Sequence, residues 1–383
     1  MAIHFTESEL AARRARVCEQ LAADGLDGLL IFRQESMYYL TGYDTFGYVW
    51  FQCLYLGTDG EFFLLTRAPD LRQAQQTSVI QDIRIWVDRQ GADPVAELKD
   101  MLADKGLSGK SIGIEWEAYG LTANNGRRLE AALDGFVTLK DASHLISGFR
   151  LVKSEAELAY VRRAGELSDA ALGEAKRLAG AGVDEGDILA AMQGAIFAGG
   201  GDYPANEFII GSDRDALLCR YKSGRRVLSA QDQLTLEYAG VYRHYHAAAM
   251  NTLIIGQPDP AHEEMFQVAH DALQGCEAAL TPGRPIGEVF DAHARILDHA
   301  GYQKHRLNAC GYSQGTTFSP NWMDWPMLYE GNPVVAMPGM VFFIHIIIVN
   351  SETGLAQTLG RTSIVGDLKS EPVCHSNPEL IVR

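Results

Sequence analysis

The sequence predicts an α/β domain followed by an α+β domain, and three observations carry that expectation. Over the first 150 residues, short helical and extended patterns alternate. From "RLVKSEAELAYVRRAGELSDAALGEAKRLA" onwards the texture changes to long helices, separated by extended segments rich in β-branched and aromatic residues. The length, 383 residues, accommodates two domains that each bury a core. The expected boundaries are 1–150 and 151–383.

Taken in order, "ESELAARRARVCEQLAADGLDG" places apolar residues at helical spacing and ends in glycine, after which "LLIF" reads as a buried strand. Further strands are expected at "WFQCLYLG", "EFFLLT" and "IRIWV", then a helix in "DPVAELKDMLADKG" and a strand in "SIGIEW". In the second half Ser154 and Glu157 have the spacing of a capping box, which starts the first long helix. Helical stretches recur at 184–198, 261–281 and 286–300. Between and after them, "LTLEYAG", "YRHYHAAAMNTLIIG" and "GMVFFIHIIIVN" read as sheet. The stretch "LTLEYAGVYRHYHAAAMNT" reads as a strand-edge acid, Glu237, a Gly-bearing turn and a second strand. On that second strand His244 and His246, two residues apart, would face the same way.

Composition narrows the partners. With 47% apolar and 21% charged residues the chain is globular. A formal net charge of −16 opposes binding to a phosphate backbone, so nucleic acid is not expected as a partner. The 6 cysteines are scattered, with no CxxC pair or zinc-type spacing, which suits a reducing compartment. "MAIHFTESELAARRARV" lacks the apolar core of a signal peptide, and no apolar run approaches the ~18 residues of a membrane span. A cytoplasmic protein without a membrane partner is expected. "GAGVDEGD" and "AGGGDYP" match no phosphate-binding loop and read as ordinary connections.

The succession of "RLVKSEAEL", "GSDRDALLCRY", "LTLEYAGVYRHYH", "NACGYSQGT", "PGMVFFIHIII" and "LGRTSIV" resembles the creatinase, proline dipeptidase and methionine aminopeptidase family, over nearly the whole chain. The resemblance implies a creatinase-type α/β N-terminal domain, a pita-bread catalytic domain and a homodimer. Metal-dependent members hold two ions with two Asp, one His and two Glu. Carried over, the first Asp falls on Glu237, the second on Ala248, the His on Tyr312, the first Glu on His345 and the last at or beside Gly360 and Arg361. One carboxylate survives, and hard or borderline cations need more oxygen ligands than that, so a site without metal or other cofactor is expected. The histidine that serves creatinase falls on Arg220. "LTLEYAGVYRHYHA", "RLNACGYSQGT", "PNWMDWPMLYEGNP" and "PGMVFFIH" are similar to the ectoine hydrolase branch. That likeness implies a small-molecule substrate, a cyclic amidinium carboxylate opened to an N-acetyl diamino acid.

The residues support roles in such a reaction. Glu237, in an otherwise apolar strand, would pair with the amidinium and attack its carbon or activate water. His345 and His246 are the expected proton-transfer or hydrogen-bonding groups. In "FSPNWMDWP", Trp322, Asp324 and Trp325 offer aromatic faces and a counter-charge to a delocalised cation. Arg220, with Tyr221, would hold the substrate carboxylate, and Tyr312 would donate a hydrogen bond. Asn251, where most of the family carries arginine, and Gln314, where an apolar residue is expected, are departures that could move the substrate range. Competing expectations are an amidinohydrolase acting on a linear guanidino acid and an inactive pita-bread binding protein. A metal-dependent Xaa-Pro peptidase is poorly supported.

Overall fold

A computed structural model describes residues 3–220, 224–376 and 378–383. Its backbone packing forms two compact units, Met1–Arg150 and Leu151–Arg383.

The first unit is a six-stranded sheet of β1 (Gly28–Ile31), β2 (Cys53–Gly57), β3 (Phe62–Arg67), β4 (Asp82–Trp86), β5 (Ser111–Ile114) and β6 (Thr138–Asp141), in the order β4-β3-β2-β1-β5-β6. Pairs β1–β2 and β2–β3 are antiparallel and the other three are parallel. All four residues of β1 are buried, as its unbroken "GLLI" requires. Alternate residues serve opposite faces: Leu30 and Phe32 join a cluster with the helix Pro94–Asp104, and Leu29 and Ile31 join one with the helix Glu7–Ala23.

The first long helix of the second unit begins where the sequence placed its cap. Ser154 accepts from the Glu157 amide at 3.4 Å, and Glu157 accepts from the Ser154 amide at 2.9 Å, opening the helix Glu155–Leu178. The sheet contains β7 (Ile209–Ser212), β8 (Asp232–Tyr242), β9 (Tyr245–Ile255), β10 (Ala309–Ser313), β11 (Asp324–Tyr329), β12 (Val341–Asn350) and β13 (Leu355–Val365). Their order is β11-β10-β12-β13-β9-β8-β7, every pair antiparallel, with two short terminal strands added to β13 and β9.

One face of this sheet is covered by helices. Phe342, Ile344, Ile346 and Ile348 of β12 pack in one core with the helices Pro260–Ala279 and Gly287–His299. The helix Glu155–Leu178 crosses β8 so closely at Gly240 that a Cβ there would collide with the Ala164 carbonyl. Residues of the opposite parity, among them Glu237 and His345, therefore face away from the helices.

Two expectations change. The hairpin turn is not at Gly240, which lies inside β8, but at Arg243–His244, whose φ values of 51° and 65° are those of a two-residue hairpin turn. The segment expected as a cation-binding loop is part strand, since Asp324 opens β11 opposite Ser313. Among the described residues no helix is long and apolar enough to cross a membrane.

Candidate active site

Register brings the site together. Glu237 of β8 pairs with Met250 of β9, Met250 with Gly360 of β13, and Gly360 with His345 of β12. The four residues form one row across four strands, and paired residues share a face. Glycine leaves a gap in that row: a Cβ at Gly360 would lie 2.7 Å from the Ile344 carbonyl oxygen and 2.9 Å from His345 Cα. Tyr312 of β10 pairs with Phe343 and so points to the same side as His345.

Over this face lies a cavity of about 110 Å³ lined by Glu237, Met250, Tyr312, Trp322, His345 and Arg220, with Asn206, Cys219, Asn321 and Met323 among the remaining walls. Trp322 is 1% exposed and donates its indole N–H to the Tyr312 hydroxyl at 2.8 Å. Tyr312 donates its proton to Glu237 Oε1 at 3.3 Å.

Burial dominates the electrostatics. It lifts the Glu237 carboxyl to about 7, against the opposing pull of the Arg220 charge and the Tyr312 hydrogen bond. Burial, reinforced by the neighbouring Glu237 charge, holds the Tyr312 phenol well above its ordinary range, so it stays a donor. His345 is lowered to about 4, first by burial and then by the Arg220 charge, and its Nδ1 has no partner among the described residues. A carboxyl poised near neutrality, a phenol and a neutral imidazole thus share one small chamber.

The sequence-named residues divide. Glu237, His345, Tyr312, Trp322 and Arg220 line the cavity. His246 does not. Its Nε2 accepts from the Ala205 amide at 2.9 Å, while Nδ1 lies 2.9 Å from the His244 carbonyl and 3.1 Å from the Thr317 hydroxyl. Burial lowers it to about 3, so it is a neutral, hydrogen-bonded core residue. His244 sits in the turn and stacks on Phe318 with ring centres 4.3 Å apart, so the same-strand argument for the pair does not apply. Asp324 and Trp325 are outside the cavity wall, and Trp325 is 39% exposed. Tyr221 lies outside the described residues.

The two departures are structural here. Gln314 is fully buried, and its Oε1 accepts from the Ala248 amide at 3.0 Å and the Thr362 hydroxyl at 2.7 Å, tying β9 to β13 beside the alanine. Asn251 accepts from the Tyr238 hydroxyl at 2.8 Å. Arg361 grips Glu277 with two hydrogen bonds, of 2.7 and 2.8 Å, so Gly360 is the member of that pair belonging to the site row. Sequence reasoning missed Met250, Asn206, Cys219, Asn321 and Met323. Met250 was within reach, because a correctly placed turn sets it opposite Glu237.

The donor set does not fit a dinuclear metal centre. Glu237 and His345 are the ionisable ligands available at the five carried-over positions, the others being Ala248, Tyr312 and Gly360. Among the described residues no three His, Cys, Asp or Glu side chains converge as a metal site.

Comparison with known proteins completes the picture. Residues 13–152 match the creatinase/prolidase N-terminal domain. An uncharacterized hydrolase/peptidase, y4tM, of Sinorhizobium fredii is 27% identical, with 100% of this chain and 99% of that protein aligned. The ectoine hydrolase of Halomonas elongata is 26% identical over 89% of this chain and 90% of its own length. The crystal structure of a dipeptidase from Pyrococcus horikoshii superposes with a TM-score of 0.84 at 22% identity, covering 97% of this chain and 100% of that one, a likeness of fold. Residues 159–365, which contain every cavity residue discussed above, match metallopeptidase family M24, and the chain belongs to that family.

Proposed function

We propose that this hydrolase opens the ring of a cyclic amidinium carboxylate of the ectoine type, without a metal ion. The observation that carries the reading is Glu237: a deeply buried acid facing a cavity lined also by Tyr312 and His345, with Ala248 and Gly360 at the remaining positions of a metal-binding set. An amidinium ion brings its own positive charge to that carboxylate, and its carbon is electrophilic without a Lewis acid. The similarity to an ectoine hydrolase over 89% of the chain agrees with that chemistry.

In this reading the amidinium enters with its charge against Glu237, which favours the ionised carboxylate. Glu237 then either takes a proton from the water that attacks the amidinium carbon, or itself attacks that carbon to give a covalent adduct that water cleaves, restoring the carboxylate. Addition of water across the C–N unit and cleavage of one ring C–N bond leave an acetamido group on one nitrogen and a free amine on the other. His345, a neutral imidazole in the cavity wall, relays to the departing nitrogen the proton released by the attacking water. Arg220 at the cavity wall pairs with the substrate carboxylate.

The test is direct. The purified protein is incubated with ectoine, hydroxyectoine, creatine and a Xaa-Pro dipeptide, and products are read by mass spectrometry alongside elemental analysis. Ring-opened ectoine or hydroxyectoine, unaffected by exhaustive chelation, is expected. Urea from creatine would move the reading to a linear amidinohydrolase. Stoichiometric metal lost together with activity on chelation would overturn metal independence, and ectoine bound but never turned over would leave a binding protein.

A further inference from the structure

The cavity contains a hydrogen-bond chain whose direction, once Glu237 is ionised, is fixed by chemistry. An indole nitrogen can only donate. With Trp322 Nε1 at 2.8 Å, the Tyr312 oxygen must accept there, and its single proton is left for Glu237 Oε1, 3.3 Å away. All three side chains are at least nine-tenths buried, at 1%, 3% and 9% exposure, so the order of donors is set by protein groups. The tyrosine is therefore not free to give its proton to a substrate, as the sequence alone suggested. Nor is the indole N–H free for the ligand.

We infer that Trp322 is a positioning residue: by donating to Tyr312 it orients the phenol so that the phenolic proton stabilises the anionic form of Glu237. The inference rests on the reading of Glu237 as the group that acts as a carboxylate. Without the indole N–H, the Tyr312 hydroxyl is free to rotate, its oxygen no longer held as an acceptor, and the carboxylate loses part of the stabilisation that opposes its burial. The ring face of Trp322 remains available as cavity wall, so packing and hydrogen bonding are separable contributions of one side chain.

The experiment follows the ionisation of Glu237 itself, so it needs no substrate. The pH midpoint is read from the infrared carbonyl band of the protonated acid in the ligand-free full chain, assigned by its absence in Glu237→Gln. Trp322→Phe, which keeps an aromatic wall and loses the N–H, is expected to raise the midpoint by about half a pH unit or more, a fraction of what one hydrogen bond to a charged group is worth. Tyr312→Phe raises it as well, and in that background adding Trp322→Phe produces no further rise, because its effect runs through the hydroxyl. A packing role alone would shift the midpoint equally in both backgrounds, and that result, or an unchanged midpoint in Trp322→Phe, overturns the inference. Should Trp322→Phe fail to fold, Trp322→Gln and Trp322→Met, close in volume, replace it: the midpoint must be higher in the methionine variant, and equality overturns the inference. Full ring-opening activity in Glu237→Gln would defeat the proposed function and leave this titration result standing.

Discussion

At the scale of single residues, the decisive contrast is between two buried histidines. His246 has both ring nitrogens in hydrogen bonds, whereas His345 Nδ1 has none among the described residues. An unsatisfied buried polar atom costs stability, and natural proteins keep such atoms where chemistry uses them. His345→Phe is therefore expected to leave the thermal midpoint unchanged or higher while ring opening falls at least about a hundredfold, the lower range for a positioned acid–base group. His246→Phe is expected to do the reverse, losing about 1–3 kcal/mol because the Ala205 amide is stranded, with a smaller effect on turnover. Calorimetry and steady-state kinetics on the two variants decide it; a stable His246→Phe without activity would reverse the assignment. For Glu237 the expectation is a rate that depends on the ionised form. Turnover under limiting substrate should rise with pH through about 7 and level off above it, and Glu237→Gln should lose at least about a hundredfold against the wild type on that plateau. A wild-type profile that falls through the same range would show that the protonated acid is the working form.

At the scale of elements, the row Glu237, Met250, Gly360, His345 depends on three strand pairings keeping register. Slippage by one residue would turn every member towards the helices. Gly360 is the tightest point, and Gly360→Ala is expected to destabilise by about 1–3 kcal/mol through overpacking, with loss of activity, because the added methyl meets the backbone of β12. A variant as stable and active as the wild type would show that the row has slack. The sequence made β8, β9 and β12 legible through their β-branched runs, and named five of the cavity residues through family likeness. It misplaced the turn because Gly240 is the obvious punctuation, yet that glycine answers to the helix Glu155–Leu178 and not to the chain reversal. The actual turn uses Arg243 and His244, residues with no turn preference of the Asn-Gly kind. Likewise nothing local distinguishes Trp322, sealed under the cavity, from Trp325 at 39% exposure; only the pairing of β11 with β10 separates them. Gln314 looked like a pocket change because its partner, the Ala248 amide, is 66 positions away in sequence.

At the scale of the whole chain, buried ionisable groups give the two units opposite responses to pH. In the first unit Glu115 is fully buried, accepts from Ser36 and from the amides of Phe32 and Arg33, and is still raised to about 7 by burial. A folded acid that binds its proton at 7 while the unfolded chain releases it near 4.5 loses stability as pH rises through that window. In the second unit Glu237 acts in the same sense, but His246 and His293, lowered to about 3, and His345, lowered to about 4, act in the other. These imidazoles stay neutral when folded and take protons when unfolded below about 6.5, so their contribution is lost as pH falls. Between pH 4.5 and 6.5 these histidines, joined by His262, which burial also lowers, outweigh the one acid, and the second unit should gain stability as pH rises, about 1.4 kcal/mol per pH unit for each proton in excess. Hydrogen exchange followed by mass spectrometry, corrected for intrinsic rates, separates the units: moving from pH 6.5 to 5 should weaken the protection of β8, β9 and β12 and strengthen that of β1 and β5. Glu237→Gln should steepen the response of the second unit by one further proton and leave the first unchanged. Parallel loss of protection in both sheets would show that the Glu115 carboxyl is ionised in the folded state at pH 5.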